Sequence, residues 1–199
     1  MVKVLFFCFF FCCVLESYAQ QKYEREYKIN TAEVPQKALD FIKAFEIQKK
    51  VKWYQEQGLD STSIEAKFKL KGAKYSIEFS NDGTLQDIEQ TVSFKTLQKD
   101  IQEKIQSYFE ENYDAYNIEK VQLQYTGKLA LLLMWREASD FPRYPSRQTA
   151  VSDIVRVYEL VVRTRTESKV LLFQFQFDEK GQKIDKKEII TRDTDILKF

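Results

Sequence analysis

Two runs of strict alternation dominate this chain. Ile64, Ala66, Phe68 and Leu70 are apolar with Glu65, Lys67 and Lys69 between them, and past Gly72 the same rhythm resumes as Tyr75, Ile77 and Phe79 with Lys74, Ser76 and Glu78. Successive strand side chains point to opposite faces, so the pattern predicts a β-hairpin with one oily and one polar face. A slip of one residue would put the whole oily set into water, so the register is tightly specified.

The rest of the chain is written in the same way. Asn81-Asp82-Gly83 supplies residues that tolerate the positive φ of a tight turn, and Leu85 and Ile88 carry a strand towards Val92. Val121, Leu123 and Tyr125 alternate with Lys120, Gln122 and Gln124; Val155 to Arg163 is rich in β-branched residues; Leu171, Phe173, Phe175 and Phe177 alternate with Leu172, Gln174 and Gln176. A turn at Asp178 to Gly181 leads to Ile184, Ile189 and Ile190 in a closing strand. Two amphipathic helices are predicted: one opened by Pro35, with Ala38, Phe41, Ile42 and Phe45 on its apolar face, and one with Leu97, Ile101, Ile105, Tyr108 and Phe109. Val51 to Gly58 fits either a continued helix capped by the glycine or a short strand carrying Val51, Trp53 and Gln55 on one side.

Residues 1–19 read as an export signal. Lys3 precedes the apolar run Val4 to Leu15, and Ser17-Tyr18-Ala19 offers small residues for a cut before Gln20. The run is shorter than the roughly 20 residues needed to span a bilayer. The expected product is periplasmic or secreted, with no membrane insertion after cleavage. Cys8, Cys12 and Cys13 all leave with the signal, and the chain has no histidine.

Those absences narrow the chemistry. The commonest general base and the cysteine nucleophile are missing, so no catalytic residue is assigned and the chain is read as a non-enzyme. Glu78 with Glu89, or Asp178 with Glu179, could be drawn as acid and base, but they lie on solvated strand faces or in turns. No metal or cofactor is assigned, because the acidic turns lack the spaced ligands of a calcium loop and a chain with five glycines has no phosphate cradle. A net charge of +1 gives no reason to expect nucleic acid as a partner.

Tyr75 to Gly83, followed by Leu85 and Asp87, matches Phe173 to Gly181, followed by Lys183 and Asp185, and the two helices match as well. The expected organisation is a flexible lead-in over 20–33, one repeat over 34–95, and a second over 96–199 with an insertion at about 127–152. The insertion holds Leu129 to Trp135 and Asp140 to Pro145.

Val34-Pro35, Trp53-Tyr54, Glu65-Ala66-Lys67-Phe68, Lys74 to Phe79 with Gly83, Asp87-Ile88-Glu89 and Ile118 to Gly127 occur in an order that resembles the PepSY-like exported proteins, related in fold to β-lactamase inhibitory protein. The resemblance covers about 34–127 and, more loosely, 154–190. It implies an α+β fold of two helix-plus-antiparallel-sheet repeats, with the helices packed on one face of a curved antiparallel sheet, and it favours a strand at Val51 to Gln55. It also implies a binding or inhibitory module of the Gram-negative envelope, restraining or modulating a peptidase or another envelope or extracellular protein.

On that reading the polar sheet face is open, and Trp53, Lys67, Lys69, Trp135, Phe141 and Tyr144 are the candidate partner-binding residues, aromatic side chains being frequent interface anchors. The alternative is a carrier or sensor of a small apolar or peptide ligand. It would need a cavity between helices and sheet lined by residues such as Phe41, Phe68 and Phe175.

Overall fold

In the computed structural model of the protein, residues 20–44, 50–70, 72–127, 154–167 and 169–190 are described. The alternating segments pair as strands. Ile64, Ala66 and Phe68 stand opposite Phe79, Ile77 and Tyr75 across the turn at Gly72. In chain order the strands are β1 (Gln20–Lys22), β2 (Arg25–Ile29), β3 (Lys52–Gln57), β4 (Thr62–Leu70), β5 (Ala73–Ser80), β6 (Leu85–Val92), β7 (Ala115–Gly127), β8 (Ile154–Thr166), β9 (Lys169–Phe177) and β10 (Lys183–Ile189). Helix α1 (Gln36–Ala44) connects β2 to β3, and α2 (Lys99–Asn112) connects β6 to β7. Among the described residues no helix is long and apolar enough to cross a membrane.

All ten strands belong to one sheet. From β2 to β10 each strand lies beside its successor and runs antiparallel to it, whereas β1 joins β10 in parallel. β1 and β2 are therefore the two edges of the sheet, although only Tyr23 and Glu24 separate them in sequence. The Cα atoms of Lys22 and Arg25 cannot be more than about 11 Å apart. A sheet with edges tied so closely has to curl round on itself, as strand tilt and twist allow in barrels.

This overturns the expected architecture. In place of two helix-plus-antiparallel-sheet repeats there is one continuous mixed sheet, because β6 pairs with β7 across the expected repeat boundary and β1 adds a parallel strand. Alternation specifies which side chains share a face; it leaves open which strand edges meet. Residues 20–33, read as a lead-in, supply both edge strands and a short 3₁₀ turn at Thr31–Glu33. Edge strands are held chiefly by backbone hydrogen bonds, so their polar sequence gave no apolar rhythm to detect. The signal segment and the 127–152 insertion beyond Gly127 lie outside the described residues.

The segment from Lys52 to Gln57 is extended and sets Trp53 beside Ala66. Around α1, Phe41 meets Phe79 edge-on at 5.5 Å; around α2, Phe109 meets Phe175 at 4.9 Å. Phe79, Phe109, Phe175 and Phe177 are fully buried. Leu123 packs against both aromatic groups and joins them. The Gly83 turn abuts α1, and a Cβ there would come within 2.9 Å of Pro35. Lys104 of α2 donates to the Lys180 carbonyl at 2.9 Å, tying that helix to the β9–β10 turn.

Candidate functional site

The face turned away from this core is polar, and the curl of the sheet encloses it. Glu65, Asp87, Gln122, Glu159 and Gln174 are all buried although they are charged or amide side chains. They line a chamber of about 490 Å³ to which the edge residues Lys22, Glu26 and Lys187 also contribute. The expected open face is thus the interior of a wrapped sheet.

Carboxylates crowd this interior. Glu65, Glu78 and Asp87 lie directly opposite one another across β4, β5 and β6, and Glu26 lies opposite Glu56 across β2 and β3. Like charges in such positions repel, which neutral donors only partly offset. Ser63 donates to Glu78 at 2.8 Å, Gln124 to Asp87 Oδ2 at 2.9 Å, Ser76 to Glu65, and Gln122 to Glu89. Lys22, Lys67, Lys120 and Lys187 add positive charge. Lys67 Nζ reaches Glu26 at 2.6 Å and Glu65 at 2.9 Å, and Lys22 reaches Glu24 at 2.5 Å.

The balance remains acidic, and the protonation equilibria respond. Burial, with Glu24, Glu78 and Glu65 nearby, pushes Glu56 up to about 9. Burial and the facing Glu78 push Asp87 up to about 8, while burial with Glu159 and Asp87 pushes Glu89 up to about 9. Burial opposes the Lys22 ammonium, but Glu159 and Glu24 outweigh it and hold that lysine above its ordinary pKa.

At the other mouth the sign reverses. A wider groove of about 1500 Å³ is lined by Lys52, Lys69, Lys74 and Lys120 together with Tyr54 and Tyr116. It meets the acidic chamber at Glu65, Lys67, Ser76, Lys120 and Gln122, which line both. In the strand register Lys52 faces Lys67 and Lys69 faces Lys74. Lys52, Lys69 and Lys74 are exposed, and none makes an ion pair with another described residue.

Of the candidate partner-binding residues, Lys67 and Lys69 lie on one strand, the first between the two regions and the second in the lysine-rich mouth. Trp53 is elsewhere: it is 5% exposed, 6.2 Å from the Phe79 ring, in the core. Its position in the alternation places it on the oily face with Ala66, so it cannot rim the polar one. Trp135, Phe141 and Tyr144 lie outside the described residues. Sequence reasoning missed Lys22, Glu56, Asp87 and Glu159 as parts of one site. The available signal was that acidic or amide residues occupy the polar side of β4, β5, β6, β7, β8 and β9 alike.

The space between helices and sheet that a carrier of apolar ligands would need is occupied by Phe41, Phe79, Phe109 and Phe175.

No protein-family model and no curated protein sequence matches the chain. The chain is similar to the crystal structure of a DUF2874 family protein from Bacteroides ovatus ATCC 8483, with 14% identity over 78% of this chain and 87% of that one, at a TM-score of 0.48.

Proposed function

We propose that this chain is an exported, non-enzymatic binding module whose lysine-rich mouth receives an acidic, extended segment of a protein partner. One observation carries the reading: lysines stand directly opposite lysines at two positions of the β3–β4–β5 ladder, and Lys52, Lys69 and Lys74 make no ion pair with another described residue. Such pairs cost stability in the free protein and become favourable once an anionic ligand lies between them. The groove, at about 1500 Å³, has room for a peptide, and Tyr54 and Tyr116 line it beside the charges.

The test is fluorescence anisotropy with a labelled dodecapeptide rich in Glu and Asp and carrying two aromatic residues. Its Lys/Arg-substituted counterpart serves as the control. Binding should be selective for the acidic peptide, weaken with salt, and fall about tenfold or more in a Lys69→Glu, Lys74→Glu variant. Equal binding of both peptides, or no loss in the variant, would refute the assignment.

A further inference from the structure

We propose that the acidic partner segment binds by strand addition, laid along the free edge of β2. This deepens the peptide-binding reading and rests on it.

The seam closes only part of the sheet. β1 meets β10 over three residues, Gln20 to Lys22, and the chain then passes through Tyr23 and Glu24 into β2. All five residues of β2 pair with β3, from Arg25 opposite Gln57 to Ile29 opposite Trp53, and no described strand lies on the other side of β2. Backbone groups of a strand point alternately to its two sides, so this edge presents N–H and C=O groups that an extended peptide can pair with. Neither a proline nor a register shift blunts it, and Glu26, Tyr27 and Lys28 are exposed.

The edge also spans both regions of the site. Glu26 lines the acidic chamber, and Lys28 stands opposite Tyr54, which lines the lysine-rich mouth. Lys67 already engages Glu26 at 2.6 Å, whereas Lys28 makes no ion pair with another described residue. The charge left over on this face is positive, which suits an acidic residue of the incoming strand opposite Lys28. On the other face Tyr27 is 37% exposed and Ile29 half-buried, which suits an aromatic or apolar residue. The strand that fits therefore alternates acidic with aromatic or apolar residues, a narrower class than acidic peptides in general. A second copy of this chain fits less well. Two β2 edges paired about Tyr27 would match Glu26 with Lys28, but five residues a side are far fewer than the roughly 20–30 of a stable interface.

The experiment compares labelled dodecapeptides of one Glu/Tyr composition by fluorescence anisotropy. A strictly alternating peptide should bind at least tenfold more tightly than one with its acids and aromatics in separate blocks. Two further versions of the alternating peptide carry backbone N-methyl groups on every Glu or on every Tyr. One set should weaken binding at least tenfold and the other by no more than about twofold, because only alternate amides face the edge. Lys28→Glu, at an exposed position, should weaken the alternating peptide at least tenfold, and hydrogen exchange should slow at the outward amides among residues 26–29. Equal effects of the two methylated sets, or unchanged exchange at 26–29 with peptide bound, overturn strand addition and leave the lysine-mouth reading standing. Failure of every acidic peptide to bind overturns both. Protection of these amides by self-association assigns the edge to a second copy, and tenfold tighter binding by a chain ending at Ile190 assigns it to residues 191–199; either result overturns the proposal.

Discussion

Replacing Gly83 with alanine tests how the β5–β6 turn holds α1. Gly83 sits at φ +84°, where an L side chain carries about 1–2 kcal/mol of strain. The added Cβ would also lie 2.9 Å from Pro35 Cβ and 3.0 Å from both the Ala38 nitrogen and Lys37 Cβ. Two of these are helix backbone or proline ring, which cannot swing aside, so either α1 lifts from Phe79 or the turn opens. Overpacking of that kind costs about 1–3 kcal/mol more. Gly72 is the control, for its φ is +88° and a Cβ added there would meet nothing within 4 Å. Gly72→Ala should therefore cost only the strain, and Gly83→Ala about 2–5 kcal/mol in all. With a urea m value of about 2 kcal/mol/M, the two midpoints should differ by roughly 0.5–1.5 M. Equilibrium unfolding followed by tryptophan fluorescence measures this directly, since Trp53 packs on Phe79. Equal losses at the two glycines, at unchanged m, would refute the idea that the turn is wedged against the helix.

Other outcomes are expected. Phe175 is fully buried among Tyr108, Phe109, Tyr113 and Phe177, so Phe175→Ala should cost about 3–5 kcal/mol in chemical denaturation. Glu89 has a folded-state pKa raised from 4.5 to about 9, so the unfolded chain releases its proton first. Its contribution is fully stabilising below about 4.5 and declines as pH rises towards 9, by at most about 1.4 kcal/mol per pH unit. Glu89→Gln should accordingly flatten the fall of Tm with pH across that window, as differential scanning fluorimetry would record; an unchanged slope would exclude Glu89 as the source.

Local structure was legible where side-chain chemistry is local. The hairpin at Gly72, the Asn81-Asp82-Gly83 turn and the apolar faces of both helices follow from periodicity and from residues that tolerate positive φ. What the sequence concealed was closure. Nothing in Gln20-Gln21-Lys22 indicates a parallel partner at Lys187 to Ile189, because that pairing uses backbone groups common to every residue. Closure in turn decides the environment of the polar face. Glu78 and Glu89 read as surface charge on an open sheet and line a crowded interior once the edges meet. Trp53 illustrates the opposite lesson: its position in the alternation indicated burial more directly than its residue type indicated an interface.

The two-residue link between β1 and β2 also has a kinetic consequence. Gln20 pairs with Lys187, so the seam cannot form until nearly all the described chain has been made. At about 5–20 residues per second, synthesis alone imposes a delay on the order of ten seconds or more. Throughout that interval β2 and β3 can zip with β4, but β1 has no template. Wrapping is then the final event of folding, completed when the Ile190 amide donates to the Lys22 carbonyl at 2.9 Å. The same seam, held by three paired residues, is where the wrapped sheet should first open under load, with amide exchange fastest there and slowest in β8 and β9.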